Sequence, residues 1–318
     1  MFILIFVIDY TTSLCYNQYI NKRMRVKMST LNNKKVIFIG DSFIFYGGVV
    51  NRIGCETLEY DARTCDEGLF YKLCKSKGDN VSVVNWTFGG HGLRSIFADE
   101  CPLMKDCHGK SHMSYLEDKY YDYVIVSGGR RENCNKTFFE DINKVYTFFK
   151  EANPNVKFVY LVSSGAHNVS VEPTFAKTIL NGLKEIEKLG FIIVDWGSLI
   201  KDIIFGVHKP TTNTEYNKNT FVVARTERDG FHPNILAGYI SALMTYSAIT
   251  ESSAIGSVFD FCDTLPSSIK EYRELYYQNG ETTNFPEILN SSEDMLWLQE
   301  SIDKYLADKK FRNYNFEE

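Results

Sequence analysis

Short apolar runs, each about the length of one strand, recur through the first two thirds of the chain. The runs cover residues 36–39, 81–84, 123–126, 156–162 and 191–194. They are rich in β-branched and aromatic residues and are nearly continuous rather than alternating in polarity, which is typical of parallel strands buried on both faces. The pattern therefore predicts a parallel sheet.

Apolar residues at helical spacing lie between and after these runs. Such spacing is found at Phe138, Ile142, Val145 and Phe149 (ending before Asn153), over 175–189, over 235–249, and at Met295, Leu298, Ile302 and Leu306. Alternating strands and helices predict an α/β fold with right-handed crossovers and helices on both faces of the sheet. Ligands bind beyond the carboxyl ends of the strands in such sheets.

Candidate nucleophilic chemistry is found after the first run and far downstream. Ser42 follows the strand-breaking Gly40, where a turn would lift its hydroxyl clear of the sheet. Serine at its free pKa is a poor nucleophile and needs an imidazole base held in the right tautomer by a carboxylate. Asp229 and His232, three residues apart, can supply both groups.

These segments resemble the motifs of the SGNH (GDSL-type) hydrolase family over about residues 34–250. Gly-Asp-Ser is present at 40–42, Asp-x-x-His-Pro at 229–233, and an Asn followed five residues later by a Gly at Asn85 and Gly90. The resemblance implies a three-layer α/β/α sandwich with a parallel, flavodoxin-like sheet, and a Ser42-His232-Asp229 triad. It further implies that the backbone N–H groups of Ser42 and Gly90 are oxyanion donors.

The third motif of the family departs from the pattern. Members usually carry Gly-x-Asn-Asp after a buried strand, with the Asn as third oxyanion donor, whereas residues 127–133 here read Ser-Gly-Gly-Arg-Arg-Glu-Asn. By register Arg130 takes the place of the Asn, or Asn133 reaches into the site through a different turn. Asp41 and His91, which adjoin Ser42 and Gly90, are candidate substrate contacts.

A structural role without catalysis is the competing interpretation of the same residues. Asp41 and Ser42 are both residue types favoured as helix N-caps. Asp229 and His232 would then form a polar turn before a helix whose first residue is Pro233.

Composition narrows the classes of partner and cofactor. The 318 residues are 44% hydrophobic and 24% charged with a net charge of −5, which fits a globular protein with a sizeable core and argues against nucleic-acid binding. Eight cysteines are scattered along the chain, so reduced thiols are expected. Cys101, Cys107, His108 and His112 lie outside the usual zinc-pair spacing. We expect no metal and no cofactor.

The ends of the chain are expected to lie outside the catalytic unit. We predict an N-terminal extension over 1–33 that is disordered or not native, a hydrolase-like domain over 34–250, and a C-terminal extension over 251–318 whose amphipathic helix packs on that domain. Residues 1–8 are apolar but too short for a membrane span and lack a basic start. A cytoplasmic protein is favoured, and secretion stays open if residues 1–15 act as a weak signal peptide.

The sequence thus predicts a serine esterase acting on small acyl esters, and the resemblance to the family implies that these include O-acetyl groups of carbohydrates. Two alternatives stay open: an O-acyltransferase on the same fold, and a non-catalytic carbohydrate-binding relative that lost its oxyanion hole. The expected partner is a small-molecule or carbohydrate ester, without nucleic acid or an integral membrane span. The sequence leaves the oligomeric state open.

Overall fold

A single parallel sheet forms the centre of the part of the chain that the structure describes. The computed structural model describes residues 31–50, 68–97, 113, 116, 118–128, 137–163, 182–210, 212, 215–221, 232–259 and 292–308. The strands are β1 Lys35–Gly40, β2 Ser82–Thr87, β3 Tyr123–Val126, β4 Lys157–Leu161 and β5 Ile192–Val194. They pair in the order β2-β1-β3-β4-β5, and each pairing is parallel. This is the flavodoxin-like order.

Helices cover both faces of this sheet. They are α1 Ser42–Phe45, α2 Leu69–Ser76, α3 Leu93–Ile96, α4 Phe138–Ala152, α5 Trp196–Ile204, α6 Lys218–Phe221, α7 Ile235–Thr250 and α8 Ser292–Asp308, with a further helical stretch over 182–188. Buried side chains of α2, α5, α7 and α8 share one core cluster, and those of α3 and α4 share another.

Alternate residues of β1 enter the two clusters. Val36 and Phe38 belong to the first, Ile37 and Ile39 to the second, and all four side chains are fully buried. A strand with both faces in apolar cores must lie in a middle layer, which explains why its sequence is apolar throughout. The α/β fold with three layers that the sequence predicts is confirmed.

The strand predictions agree closely with the structure, and two of the helices longer than one turn were missed. Each predicted strand overlaps an observed one, and the helices predicted from Phe138 and over 235–249 are α4 and α7. The sequence interpretation contained neither α2 nor α5. In α5, Asp195 caps the first turn by accepting a hydrogen bond from the Ser198 N–H at 2.9 Å, so this helix begins directly after β5.

Residues just before the domain boundary predicted at residue 34 already pack on the sheet and its helices. The side chain of Leu31 is fully buried in the first core cluster. The N–H of Asn33 donates to the carbonyl of Asn80 at 2.6 Å. Residues 1–30 lie outside the described part of the chain, and the proposed division into three parts stays a prediction.

Helix α8 lies against α7. The Gln299 side chain donates to the hydroxyl of Tyr239 at 3.1 Å and to the carbonyl of Ser257 at 2.7 Å, and it accepts from the Gly256 N–H at 2.8 Å. Met295, Leu298 and Ile302 are fully buried in the first core cluster. The apolar face expected from the spacing of these residues is therefore covered.

A bilayer needs about 20 consecutive apolar residues for one helical span. None of the helices in the described ranges has the length and apolar character to cross a membrane.

Candidate active site

The turn after β1 presents Ser42 at the carboxyl edge of the sheet. A Cβ added at Gly40 would lie only 2.3 Å from the carbonyl oxygen of Ser127, so no larger residue fits where β1 ends beside the chain leaving β3. Asp41 then caps α1, since its carboxylate accepts a hydrogen bond from the Phe43 N–H at 3.0 Å. Ser42 follows as the first residue of the helix.

The hydroxyl of Ser42 meets the imidazole of His232. The two atoms, Oγ and Nε2, are 2.8 Å apart, and 190 residues separate them in sequence. His232 is only 8% exposed. With the proton on Nδ1, Nε2 is free to accept the hydroxyl proton, which is the arrangement a general base requires.

This contact separates the two interpretations of the Gly-Asp-Ser turn. The capping role belongs to Asp41, while the Ser42 side chain is directed to His232 instead of the helix backbone. Pro233 is not the first residue of α7 either: Asn234 is the N-cap, and its side-chain oxygen accepts from the N–H groups of Leu236 and Ala237.

Two glycines hold the segments that carry Ser42 and His232 together. A Cβ on Gly238, in the second turn of α7, would lie 1.7 Å from the carbonyl oxygen of Gly47. A Cβ on Gly47 would in turn lie 2.7 Å from the Gly238 Cα. Backbone therefore packs directly on backbone, and the distance between the turn after α1 and the start of α7 is set without intervening side chains.

The second motif enters the site beside the first. The N–H of Phe88 donates to the carbonyl of Gly40 at 2.9 Å, which ties the segment after β2 to the end of β1. Gly90 follows with an exposed backbone. Within the described ranges, no group accepts a hydrogen bond from the N–H of Ser42 or Gly90, so both remain available as donors.

The third motif is described only at its start. The Ser127 N–H donates to the carbonyl of Ile39 at 2.9 Å, and the Gly128 N–H donates to the hydroxyl of Tyr160 at 3.3 Å. Arg130 and Asn133, the alternative third donors, lie outside the described residues, as does Asp229, the acid expected to orient His232. Their roles stay predictions.

The two candidate substrate contacts are both half-buried near the site. Asp41 uses its carboxylate to cap α1, and His91 lies just before α3, with its N–H donating to the carbonyl of Phe88 at 3.3 Å. Their roles as substrate contacts stay predictions.

Aromatic contacts to the histidine were not anticipated from the sequence. The ring of Tyr46 stacks on the imidazole of His232, with centroids 3.7 Å apart and planes 15° apart. Phe43 lies on a second side, with its centroid 5.4 Å away. The only sequence signal was the position of both aromatics within one helical turn of Ser42.

Metal-binding side chains do not cluster in the described ranges. No three His, Cys, Asp or Glu residues there come together as they would around an ion. Cys101, Cys107, His108 and His112 fall outside those ranges.

Comparisons with known proteins find similarity in structure only. No protein-family model matches the chain, and no curated protein matches it in sequence. Among solved structures, a catalytic mutant of an acetylxylan esterase from Geobacillus stearothermophilus aligns at 16% identity with a TM-score of 0.46, covering 70% of this chain and 96% of that one.

Two further structures align over similar lengths. A candidate SGNH hydrolase from Slackia heliotrinireducens has 12% identity and a TM-score of 0.44, covering 69% of this chain and 99% of that one. An extracellular lipase from Streptomyces rimosus has 13% identity and a TM-score of 0.42, with 67% and 99% covered. The flavodoxin-like sheet and the Gly-Asp-Ser turn facing His232 agree with what the motif resemblance to the SGNH (GDSL-type) hydrolases implies.

Proposed function

We propose that the protein is a serine esterase that hydrolyses small acyl esters. The observation that carries the proposal is the 2.8 Å contact between Ser42 Oγ and His232 Nε2, at the carboxyl edge of a parallel sheet. Nucleophile and base within hydrogen-bond reach are the minimum constellation for acyl transfer through serine.

The reaction proceeds in two halves. Ser42 Oγ bonds to the acyl carbon while its proton moves to Nε2 of His232. The bond from that carbon to the alcohol oxygen then breaks, and the alcohol leaves with the proton. Water repeats the sequence on the acyl-enzyme, which releases the carboxylic acid and regenerates the serine. In the proposal Asp229 orients the imidazole throughout.

Negative charge develops on the carbonyl oxygen in both halves. We assign its stabilisation to the N–H groups of Ser42 and Gly90, which no group in the described ranges occupies. Ser42 stands at the first position of α1, where backbone N–H groups have no partner within the helix. Arg130 or Asn133 would complete the set.

The substrate class within this proposal is O-acetyl and similarly small acyl esters, including those of carbohydrates. The motif resemblance to the family supports it, and acetylxylan esterases are among the proteins that align. A panel of p-nitrophenyl esters of increasing chain length, beside acetylated xylan oligosaccharides, tests it. Preference for long acyl chains by tenfold or more would contradict the small-acyl assignment.

Replacement of Ser42 by Ala tests the central claim. Hydrolysis of p-nitrophenyl acetate is expected to fall by about a million-fold, because a triad without its nucleophile loses nearly all turnover. A fluorophosphonate probe should add to Ser42 of the wild-type protein, as read by mass spectrometry of the modified peptide. Ser82→Ala, at the exposed amino end of β2 and therefore at the opposite edge of the sheet, is the matched control and should keep full activity.

The products of p-nitrophenyl acetate turnover and the covalent probe together separate the alternative functions. An acyltransferase would give mainly transferred acyl product when a sugar acceptor is added, whereas an esterase gives mainly free acid. A binding relative would show neither turnover nor an adduct on Ser42.

A further inference from the structure

The face of the His232 ring is covered by an aromatic side chain from the helix that carries Ser42. Tyr46 and His232 lie nearly parallel, with 15° between their planes and 3.7 Å between their centroids. That separation is van der Waals contact over the whole ring. Tyr46 is half-buried, and His232 is 8% exposed.

One turn of backbone fixes both contacts to the histidine. The Tyr46 N–H donates to the Ser42 carbonyl at 3.0 Å, so the two residues stand four apart on the same face of α1. Ser42 meets the edge of the imidazole through Nε2, and Tyr46 meets its flat side. The stack therefore constrains the tilt of the ring without occupying its nitrogens.

Proton transfer to His232 adds an electrostatic effect to the contact between the two rings. When His232 takes the proton from Ser42, a neutral imidazole becomes a cation. An aromatic face carries partial negative charge and attracts a cation placed over it, more strongly where water is excluded. The attraction is greater after proton transfer than before, and interactions that strengthen toward the transition state raise turnover.

We propose that Tyr46 is a positioning residue for the esterase reaction, which orients the His232 ring and stabilises its protonated form through the face of the phenol ring. The inference rests on the proposed role of His232 as general base. A cation–π contact that is shielded from water corresponds to about a five- to thirtyfold effect on turnover.

Substitutions at Tyr46 separate the aromatic face from the hydroxyl. Tyr46→Phe keeps the face and should retain kcat within about threefold. Tyr46→Leu removes it and should lower kcat by about five- to thirtyfold with KM nearly unchanged, because the charge on His232 develops only in the chemical step. Thermal unfolding of each variant checks that the fold is kept.

A graded series then tests the charge effect apart from shape. Phenylalanine with one, two, three and five ring fluorines is incorporated at position 46, which withdraws charge from the face with little change in size. The logarithm of kcat should fall stepwise as fluorine is added. The same series at Phe139, a 40% exposed residue of α4, is the control and should leave kcat flat.

The outcomes are distinct from those of the proposed function. Absence of esterase activity and of a Ser42 adduct in the wild-type protein would refute the function itself. Activity that depends on Ser42 and His232 but stays constant across the fluorinated series would overturn this inference and leave the function standing. A fall in kcat for Tyr46→Leu together with a flat series would reduce Tyr46 to a steric support and would likewise overturn it.

Discussion

At the scale of single residues, the catalytic proposal depends on a few contacts around Ser42 and His232. The Ser42 hydroxyl forms a hydrogen bond with Nε2 of His232, and Tyr46 stacks on the face of the imidazole ring. Asp41 caps α1 and so stabilises the turn before Ser42. Motif reading from the sequence anticipated the contact between Ser42 and His232, while the role of Gly90 as an oxyanion donor stays a prediction. It did not find the stack, because Tyr46 carries no periodic or spacing signal that links it to a residue so far away in the chain.

The departure in the third motif is tested by Arg130→Ala and Asn133→Ala, measured side by side on one ester. If Arg130 is the third oxyanion donor, its loss should lower kcat by about a hundredfold, as removal of one such donor does elsewhere. If Asn133 supplies the donor, the loss should follow that substitution instead.

A different pattern of kinetics would assign Arg130 to the substrate. A guanidinium that pairs with a carboxylate of the ester should mainly raise KM when removed. Normal kcat and KM in both variants would show that neither residue belongs to the site.

At the scale of elements, strands were easier to predict than the contacts between helices. Most residues of β1 to β5 are apolar and buried, so the apolar runs mark these strands in the sequence. α5 is short and begins directly after β5, so its apolar residues merge with those of the strand in the sequence. The close contact of Gly47 with Gly238 leaves no hydrophobic trace at all, since neither residue has a side chain.

Replacement of Gly238 by Ala is expected to affect both stability and catalysis. The new methyl group would lie 1.7 Å from the Gly47 carbonyl oxygen, so α7 must move away from the turn after α1. Forced shifts of this kind cost about 1–3 kcal/mol in free energy of unfolding, measurable by urea denaturation. Because His232 lies just before α7, kcat should fall beyond any loss of folded protein.

Gly89→Ala is the control for that stability measurement. A Cβ at Gly89 would lie 3.4 Å from the ring of Phe45, an ordinary contact distance. Its free energy of unfolding should stay within about 0.5 kcal/mol of wild type. Equal stability of Gly238→Ala and wild type would show that the glycine contact does not set the spacing of α1 and α7.

At the scale of the whole molecule, α8 in the C-terminal part of the chain packs against α7, the helix that follows His232. Besides the Gln299 contacts, Tyr216 donates to the Asp294 carboxylate at 2.8 Å and stacks on Trp297, with centroids 5.6 Å apart. The amphipathic pattern of α8 was visible in the sequence. Which surface it covers was not, because a hydrophobic face does not specify its partner.

Gln299→Leu should lower the free energy of unfolding by about 1–3 kcal/mol, since the Ser257 carbonyl and the Tyr239 hydroxyl lose their buried donor. Urea denaturation followed by circular dichroism measures it. Glu300→Ala, an exposed neighbour in α8, should change stability by less than about 0.5 kcal/mol. Similar values for the two variants would show that the Gln299 contacts do not stabilise the fold.

The distance along the chain between Ser42 and His232 has a consequence for how the protein is made. The five strands in the described part of the chain lie before residue 195, while His232 and α7 come after residue 231. During synthesis the growing polypeptide therefore carries Ser42 and these strands before His232 leaves the ribosome. If His232 is the base, as proposed, Ser42 lacks it until then, and a chain that ends before His232 should not hydrolyse esters.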